Sequence, residues 1–246
     1  MRKQVYFLVI SSFAFFVCIN VCAQAQLSDS AFSSQALASA NSFYLKNVGP
    51  NSALYNGVPY YHYWNRVTGN PFFKTDRFEK GNIRYDGTLY QGITLLYDML
   101  QDVVVSHNYT GDVELALLSG KISIFSIGKD QFTRLEADDA HPGLLRSGFY
   151  QVLSAGKYTV LVKRENKIEQ SPKAEDNTAK FKEYDTYFIE KDGKYFLING
   201  RNDLQSLFAD QKTKIRKLLN RRDLRFKDHP ANAIVQTVLY YTSLTK

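Results

Sequence analysis

Cysteine is almost absent from this chain: Cys18 and Cys22 are the only two, and both lie in the first 25 residues. Once that segment is removed, disulfides, thiolate nucleophiles and cysteine-ligated metal sites are excluded. The four histidines show neither the H-x-x-E-H nor the H-E-x-x-H zinc spacing. A Gly-x-Ser-x-Gly nucleophile motif and a glycine-rich phosphate loop are also lacking. We therefore assign no catalytic residue and predict no cofactor.

The first 25 residues have the pattern of a secretory signal peptide. Two bases at residues 2 and 3 precede an apolar run from Val5 to Val21. Ala23 and Ala25 form the small-x-small pattern that signal peptidase recognises, so cleavage before Gln26 is expected. The alternative is an uncleaved membrane anchor, although about 17 residues is near the lower limit for spanning. Each cysteine follows a valine, so a lipid anchor is not expected. The sequence predicts export to the periplasm or the outer membrane.

Positive charge is concentrated in one segment near the C-terminus. The net charge is +7, and eight bases between Lys212 and Lys227 face only the acid Asp223. Outside this segment and the signal peptide, 21 bases face 23 acids. Lys214 and Lys217 are candidates for contact with anionic lipid headgroups, and the alternative is a solvated polar face. Nucleic acid is not expected to meet an exported protein.

Between residues 54 and 198, short apolar runs alternate with turn signals, in the rhythm of an antiparallel meander. Asp86-Gly87 and Asp192-Gly193 are typical of two-residue hairpin turns, because glycine tolerates a positive φ. A third hairpin is predicted around Ser154-Ala155-Gly156. Residues 164–180 are polar and show no apolar period, which predicts an exposed loop.

From residue 202 the apolar period changes from two to about 3.6, which predicts helices. Asn202 or Asp203 is expected to cap the first helix, Asp210 the second, and Pro230 to start the last. The predicted class is α+β, with a curved antiparallel sheet of about eight to ten strands and C-terminal helices packed on it. The sheet is predicted to be a meander, a sandwich or a half-barrel. One mature domain, 26–246, would comprise a short helix in 26–47, a β-rich part in 54–198 and a helical part in 202–245.

The segment from Leu54 to Trp64 is the most aromatic part of the chain. Its candidates for ligand binding are Tyr60, Tyr61, Tyr63 and Trp64. Exposed aromatic faces can stack on sugar rings or peptides, and tyrosine hydroxyls add hydrogen bonds. The alternative is that these rings cover an open edge of the sheet.

Carboxylates and histidines come close together in sequence at two places. Asp98, Asp102 and His107 could perform acid–base chemistry or hold a metal, or the carboxylates could accept hydrogen bonds from turn amides. Asp138 and Asp139 precede a histidine, but they lack the spaced ladder of a calcium loop. We expect a solvated turn at the second place.

Many short motifs along the chain resemble one protein family. They are Gly49-Pro50, Leu54–Gly57, Gly69–Phe73, Tyr85–Gly87, Leu95–Asp98, Asp102–Val105, Gly148–Tyr150, Asp192–Tyr195, Leu224–Phe226 and Tyr240-Tyr241. Together they resemble a family of uncharacterised secreted proteins from Bacteroidota. The resemblance implies a single domain and a secreted origin. It supplies no activity and no catalytic residue.

Three hypotheses about function remain. The leading one is a non-catalytic binding or structural module of the cell envelope, whose partner would be an envelope protein, a glycan or an anionic lipid. The second is a carrier that holds a lipid or another apolar ligand in a half-barrel cavity. The third is a hydrolase that uses Asp98, Asp102 and His107.

Overall fold

The computed structural model describes residues 39–40, 52–63, 67–137, 144–170, 179–221 and 224–245. The predicted signal peptide, Trp64, the polar residues 138–141 and most of the predicted helix in 26–47 lie outside the described residues. From Pro50 onward the chain forms one compact unit. Everything below concerns that unit.

The described residues contain one sheet of twelve strands. In chain order these are β1 (Val58–Pro59), β2 (Val67–Thr68), β3 (Glu79–Tyr85), β4 (Thr88–Asp98), β5 (Val103–His107), β6 (Glu114–Ala116), β7 (Ile122–Ile127), β8 (Asp130–Leu135), β9 (Gly148–Ser154), β10 (Thr159–Gln170), β11 (Ala179–Lys191) and β12 (Lys194–Ile198). The open strand order is β1-β6-β5-β4-β3-β7-β8-β9-β10-β11-β12. All these neighbours are antiparallel, and β2 pairs in parallel with the start of β11. Strands of two or three residues are too short to show a period, so more strands form than were predicted.

Three α-helices follow the sheet in the described part of the chain. They are α1 (Arg201–Leu207), α2 (Lys212–Leu219) and α3 (Pro230–Leu244). Short 3-10 helices occur at Ala53–Tyr55, Ser119–Lys121 and Ala209–Gln211. Within the described ranges, no helix combines the length and the apolar character needed to cross a membrane. The predicted α+β class, an antiparallel sheet with C-terminal helices packed on it, is confirmed.

The hairpin turns form where the sequence predicts them. Asp86 and Gly87 have φ angles of 50° and 79°, and Asp192 and Gly193 have 54° and 73°. Two successive positive φ angles match the twist of antiparallel strands, which is why Asp-Gly is favoured there. The third predicted hairpin also forms, since β9 and β10 pair on either side of residues 155–158.

Two of the predicted helix caps were wrong in detail. Gly200 is the N-cap of α1, and Asp203 lies in the first turn, where its carboxylate accepts hydrogen bonds from the amides of Asn199 (2.8 Å) and Gly200 (3.1 Å). Asp210 does not cap α2, because its carboxylate accepts a hydrogen bond from the Tyr241 hydroxyl instead. Pro230 starts α3 as predicted, at a position where no amide donor is needed.

The predicted loop over 164–180 was wrong at both of its described ends, because β10 continues to Gln170 and β11 begins at Ala179. Residues 171–178 lie outside the described residues. Cross-strand ion pairs accompany this part of the hairpin. Arg164 lies 2.7 Å from Asp185, and Lys182 lies 2.9 Å from Glu169. Paired charges and a backbone ladder stabilise these strands without an apolar face, so the strands leave no apolar period in the sequence.

The helices pack on one face of β10–β12. The sheet and the β9–β10 turn contribute Tyr158, Val160, Val162, Tyr187, Ile189 and Ile198 to this core, and the helical region contributes Leu204, Phe208, Ile215, Leu219, Ile234, Val238 and Tyr241, among others. Burying a large apolar side chain contributes about 1.5–3 kcal/mol, so this core fixes the helices to the sheet. The rings of Phe208 and Tyr241 stack at 4.2 Å between centroids.

Tyr241 gives this core a measurable dependence on alkaline pH. Burial, followed by the hydrogen bond to Asp210, raises the pKa of Tyr241 from 10.0 to about 12. The folded state therefore favours the neutral phenol, and its contribution to stability is complete below pH 10 and lost as the pH rises to about 12. We expect the free energy of unfolding to fall less steeply across this window in Tyr241→Phe than in the wild type. Urea unfolding at several pH values measures the slopes, and equal slopes would contradict the assignment.

A second core fills the face of the sheet that carries Tyr97. Rings from β4, β7, β8 and β9 meet here, with Phe125 and Phe132 stacked at 4.6 Å and Tyr97 only 6.0 Å from Phe149. Three strands lie between β4 and β9 in the sheet order, which stays open, and the aromatic side chains of this face form one continuous cluster.

Candidate functional site

Two carboxylates, Asp98 and Asp102, lie at the turn between β4 and β5. The first of them, Asp98, has a structural role. Asp98 ends β4 and is fully buried. One of its oxygens accepts hydrogen bonds from the amides of Leu100 (2.8 Å) and Gln101 (3.1 Å). This is the turn role that the sequence left open as an alternative to catalysis.

The other oxygen of Asp98 binds the aromatic segment. It accepts hydrogen bonds from the hydroxyls of Tyr60 (2.8 Å) and Tyr63 (2.5 Å). Burial, followed by the interactions with Asp98, raises the pKa of both phenols far above the usual value. Both hydroxyls therefore remain donors to the carboxylate at any physiological pH. Asp98 thus fixes the aromatic segment to the sheet, and its hydrogen-bonding capacity is used within the protein.

Asp102 forms the second group, with Tyr97 and Lys163. Its carboxylate accepts hydrogen bonds from the Tyr97 hydroxyl and the Lys163 ammonium, each at 2.6 Å. Lys163 is only 4% exposed and also donates to the Phe149 carbonyl at 3.2 Å. Burial, followed by the Asp102 charge, raises the pKa of Tyr97 well above its usual value. Desolvated charges need such partners, so this group joins the turn to β9 and β10.

Because Gly148 has no side chain, there is room beside it for the Asp102 carboxylate and the Lys163 ammonium. A Cβ atom at residue 148 would lie 2.0 Å from a carboxylate oxygen of Asp102 and 2.5 Å from the Lys163 ammonium. Its φ angle of +146° also disfavours other residues. The sheet therefore needs glycine here for the turn to dock.

His107 lies away from both carboxylates, at the far end of β5. Its ring centroid is 4.1 Å from that of Phe78, and it pairs across the strands with Glu114. The four steps from Val103 to His107 along a strand cover about 13 Å. The structure therefore does not assemble the proposed acid–base group. Among the described residues, no three potential ligands come together that could hold a metal ion.

The structure separates the aromatic candidates. Tyr60 is 8% exposed and packs in a core with Phe72, whereas Tyr61 is 80% exposed. Tyr63 is half-buried, and its ring centroid lies 5.3 Å from that of Phe181. A small cleft of about 270 Å³ opens beside Tyr63. Of the three candidate tyrosines that the structure describes, Tyr61 is therefore exposed to solvent, and Tyr60 and Tyr63 are held by Asp98.

The charged residues of the basic segment that the structure describes are all exposed. Ile215 and Leu219 anchor α2 in the core, and the charged side chains around them remain at the surface. We call this surface the basic face, and it consists of Lys212, Lys214, Arg216, Lys217, Arg225 and Lys227, all exposed. Among the described residues, none of these six side chains makes an ion pair. The predicted anionic-surface candidates Lys214 and Lys217 both belong to this face.

Sequence reasoning missed Lys163 and Tyr97. The available signal was weak: Lys163 directly follows the apolar run Val160-Leu161-Val162. A lysine next to a buried run requires a partner, but the pattern does not say which acid provides it. No known protein family matches the chain, and no curated protein or solved structure matches it either. Any statement about function therefore rests on the geometry of the structure alone.

Proposed function

We propose that this chain is a non-catalytic binding module of the cell envelope, and that its basic face contacts anionic lipid headgroups. The observation that carries the proposal is the set of six exposed bases on the basic face, none of which forms an ion pair with a described acid. Each base near an anionic membrane contributes about 1 kcal/mol. The basic face could therefore supply several kcal/mol to binding.

Bases elsewhere on the described surface are mixed with acids. Exposed Lys74 lies 2.5 Å from Asp130, Lys121 lies 3.1 Å from Asp86, and Arg146 lies 2.7 Å from Glu165, whereas others form no ion pair with a described acid. A solvated face with no partner would gain from interspersed acids, because like charges repel one another. The basic face instead concentrates six described bases within 16 residues of sequence, and this concentration of charge supports an external anion over simple solvation.

Two further observations favour binding over the alternatives. The hydrogen-bonding capacity of Asp98 and Asp102 is engaged within the protein, so neither is available for acid–base chemistry on a substrate. Aromatic rings pack against one another on the face of the sheet that carries Tyr97, and a carrier would need space there for an apolar ligand. We therefore propose neither a hydrolase nor a carrier.

The test is co-sedimentation of the protein with lipid vesicles. We expect binding to vesicles that contain phosphatidylglycerol, weaker binding as salt rises, and none to pure phosphatidylcholine. The double variant Lys214→Glu/Lys217→Glu should reduce affinity at least roughly tenfold, because it removes two attractive contacts and adds repulsion.

A matched control separates the basic face from net charge. Arg77→Glu/Lys80→Glu reverses two exposed bases near the start of β3, neither of which forms an ion pair with a described acid. We expect this control to bind like the wild type. Equal losses of affinity in the two double variants, or a wild type that does not bind anionic vesicles, would refute the proposal.

A further inference from the structure

A cleft of about 830 Å³ lies next to the basic face. It lies where the end of β12 meets the first residues of α1 and α3. The side chains that matter here are two bases, two acids and two rings: Arg201, Lys227, Asp185, Asp203, Tyr187 and Phe226. Lys227 belongs to both the cleft and the basic face, so the two surfaces are continuous.

Both acids of the cleft already have partners. Asp185 accepts hydrogen bonds from Arg164 at 2.7 Å and from the Tyr187 hydroxyl at 2.9 Å. Asp203 accepts two hydrogen bonds from backbone amides at the start of α1. The charge of Asp185 is therefore paired with Arg164, whereas Asp203 keeps its negative charge because its partners are neutral amides.

The two bases, in contrast, have capacity to spare. Arg201 donates from one terminal nitrogen to the Asn220 side chain at 2.5 Å, while its Nε is buried and has no hydrogen-bond partner among the described residues. A guanidinium carries five N–H donors, and among the described residues this one donates a single side-chain hydrogen bond, to Asn220. Lys227 is exposed and makes no ion pair with a described acid. With Asp185 paired to Arg164, the two bases and Asp203 leave one net positive charge among the described charges of the cleft, which favours an anion.

We propose that this cleft binds a phosphate monoester, carried by the lipid headgroup that the basic face meets. A monoester has a charge of about −1.5 to −2 and three strong acceptor oxygens, which suits one guanidinium and one ammonium. A guanidinium can bind two phosphate oxygens at once. A phosphodiester has less charge and fewer free oxygens, so the cleft should distinguish the two. The inference rests on the proposed function for the lipid that carries the phosphate.

The experiment compares vesicles of phosphatidic acid, a monoester, with vesicles of phosphatidylglycerol, a diester, at matched surface charge. The wild type should bind phosphatidic acid roughly tenfold more tightly, as expected for one additional charge-assisted hydrogen bond. Arg201→Gln should lose this preference and keep most of the affinity for phosphatidylglycerol. Lys227→Gln should also lose the preference, and it should weaken binding to phosphatidylglycerol as well, because Lys227 belongs to the basic face. Because Lys227 is exposed, its substitution should leave the fold intact.

Two controls test whether the preference belongs to the cleft. Asn220→Ala removes the hydrogen bond to Arg201 but leaves the guanidinium, so the preference should persist. Lys214 lies outside the cleft lining, so Lys214→Gln should weaken binding to both lipids equally. A wild type without preference, or an Arg201→Gln variant that retains it, would overturn the inference while the proposed function stands.

A soluble probe separates the phosphate from the membrane. Glycerol 3-phosphate should produce a saturable shift of the Arg201 Nε–H signal in NMR spectra of the full chain, and chloride at equal ionic strength should not. No shift with the monoester would overturn the cleft as its site. A shift without any vesicle binding would overturn the lipid as carrier, and with it the proposed function. Equal affinity for inorganic phosphate and for phosphatidic acid vesicles would show that the cleft binds a free ion, and it would likewise overturn the lipid as carrier.

Discussion

Replacing Asp102 with asparagine is expected to lower the free energy of unfolding by about 3 kcal/mol. The substitution leaves the Lys163 ammonium charged and only 4% exposed, without the carboxylate that lies 2.6 Å away. Removing one partner of a buried ion pair costs more than the pair contributes, because the remaining charge stays desolvated. Asparagine tolerates the φ angle of 57° at this position, so backbone strain should not contribute. Urea unfolding monitored by circular dichroism measures the change.

A double-mutant cycle shows whether the charge of Lys163 causes the loss. Asp102→Asn combined with Lys163→Met should be less destabilised than Asp102→Asn alone, because no unpaired charge then remains. Glu165→Gln is the exposed control, since it breaks the Arg146–Glu165 pair at the surface and should cost less than about 1 kcal/mol. Strictly additive effects at residues 102 and 163 would contradict the coupling.

Much of the local architecture could be predicted from the sequence, because short-range chemistry determines it. The turns at Asp86-Gly87 and Asp192-Gly193 form because two adjacent residues can adopt positive φ angles. Pro230 starts α3 for an equally local reason, the missing amide donor. The apolar spacing of Ile215 and Leu219 likewise predicts which side of α2 faces the core.

Contacts between distant segments could not be predicted in this way. Asp102 and Lys163 are 61 residues apart, and each of several acids could have been the partner of that lysine. Tyr60 and Asp98 are separated by 38 residues, and an aromatic run carries no information on which hydroxyl will be buried. The sequence pattern shows which face of each strand or helix is apolar, whereas these contacts depend on how distant segments come together in the folded sheet.

The candidate binding surface shows the same division. The cluster of bases between Lys212 and Lys227 is visible in the sequence, but the absence of acidic partners around its described members is a tertiary property. The cleft depends still more on tertiary structure, because Arg201 begins α1 and Lys227 precedes α3. Folding brings these two bases to one cavity and gives the neighbouring acids other partners.

Gly81→Ala is expected to destabilise the sheet by about 3 kcal/mol, at the upper end of the range for overpacking. Gly81 lies on β3 between β4 and β7, where an added Cβ would lie 1.8 Å from the Ser126 carbonyl oxygen. That oxygen belongs to the backbone of β7, so the clash can be relieved only if β3 and β7 separate. Gly156→Ala is the matched control, because no atom lies within 4 Å of its added Cβ, and a shift of at most a few tenths of a kcal/mol is expected. Urea unfolding compares the two, and a Gly81→Ala variant as stable as Gly156→Ala would show that the two strands can move apart without loss.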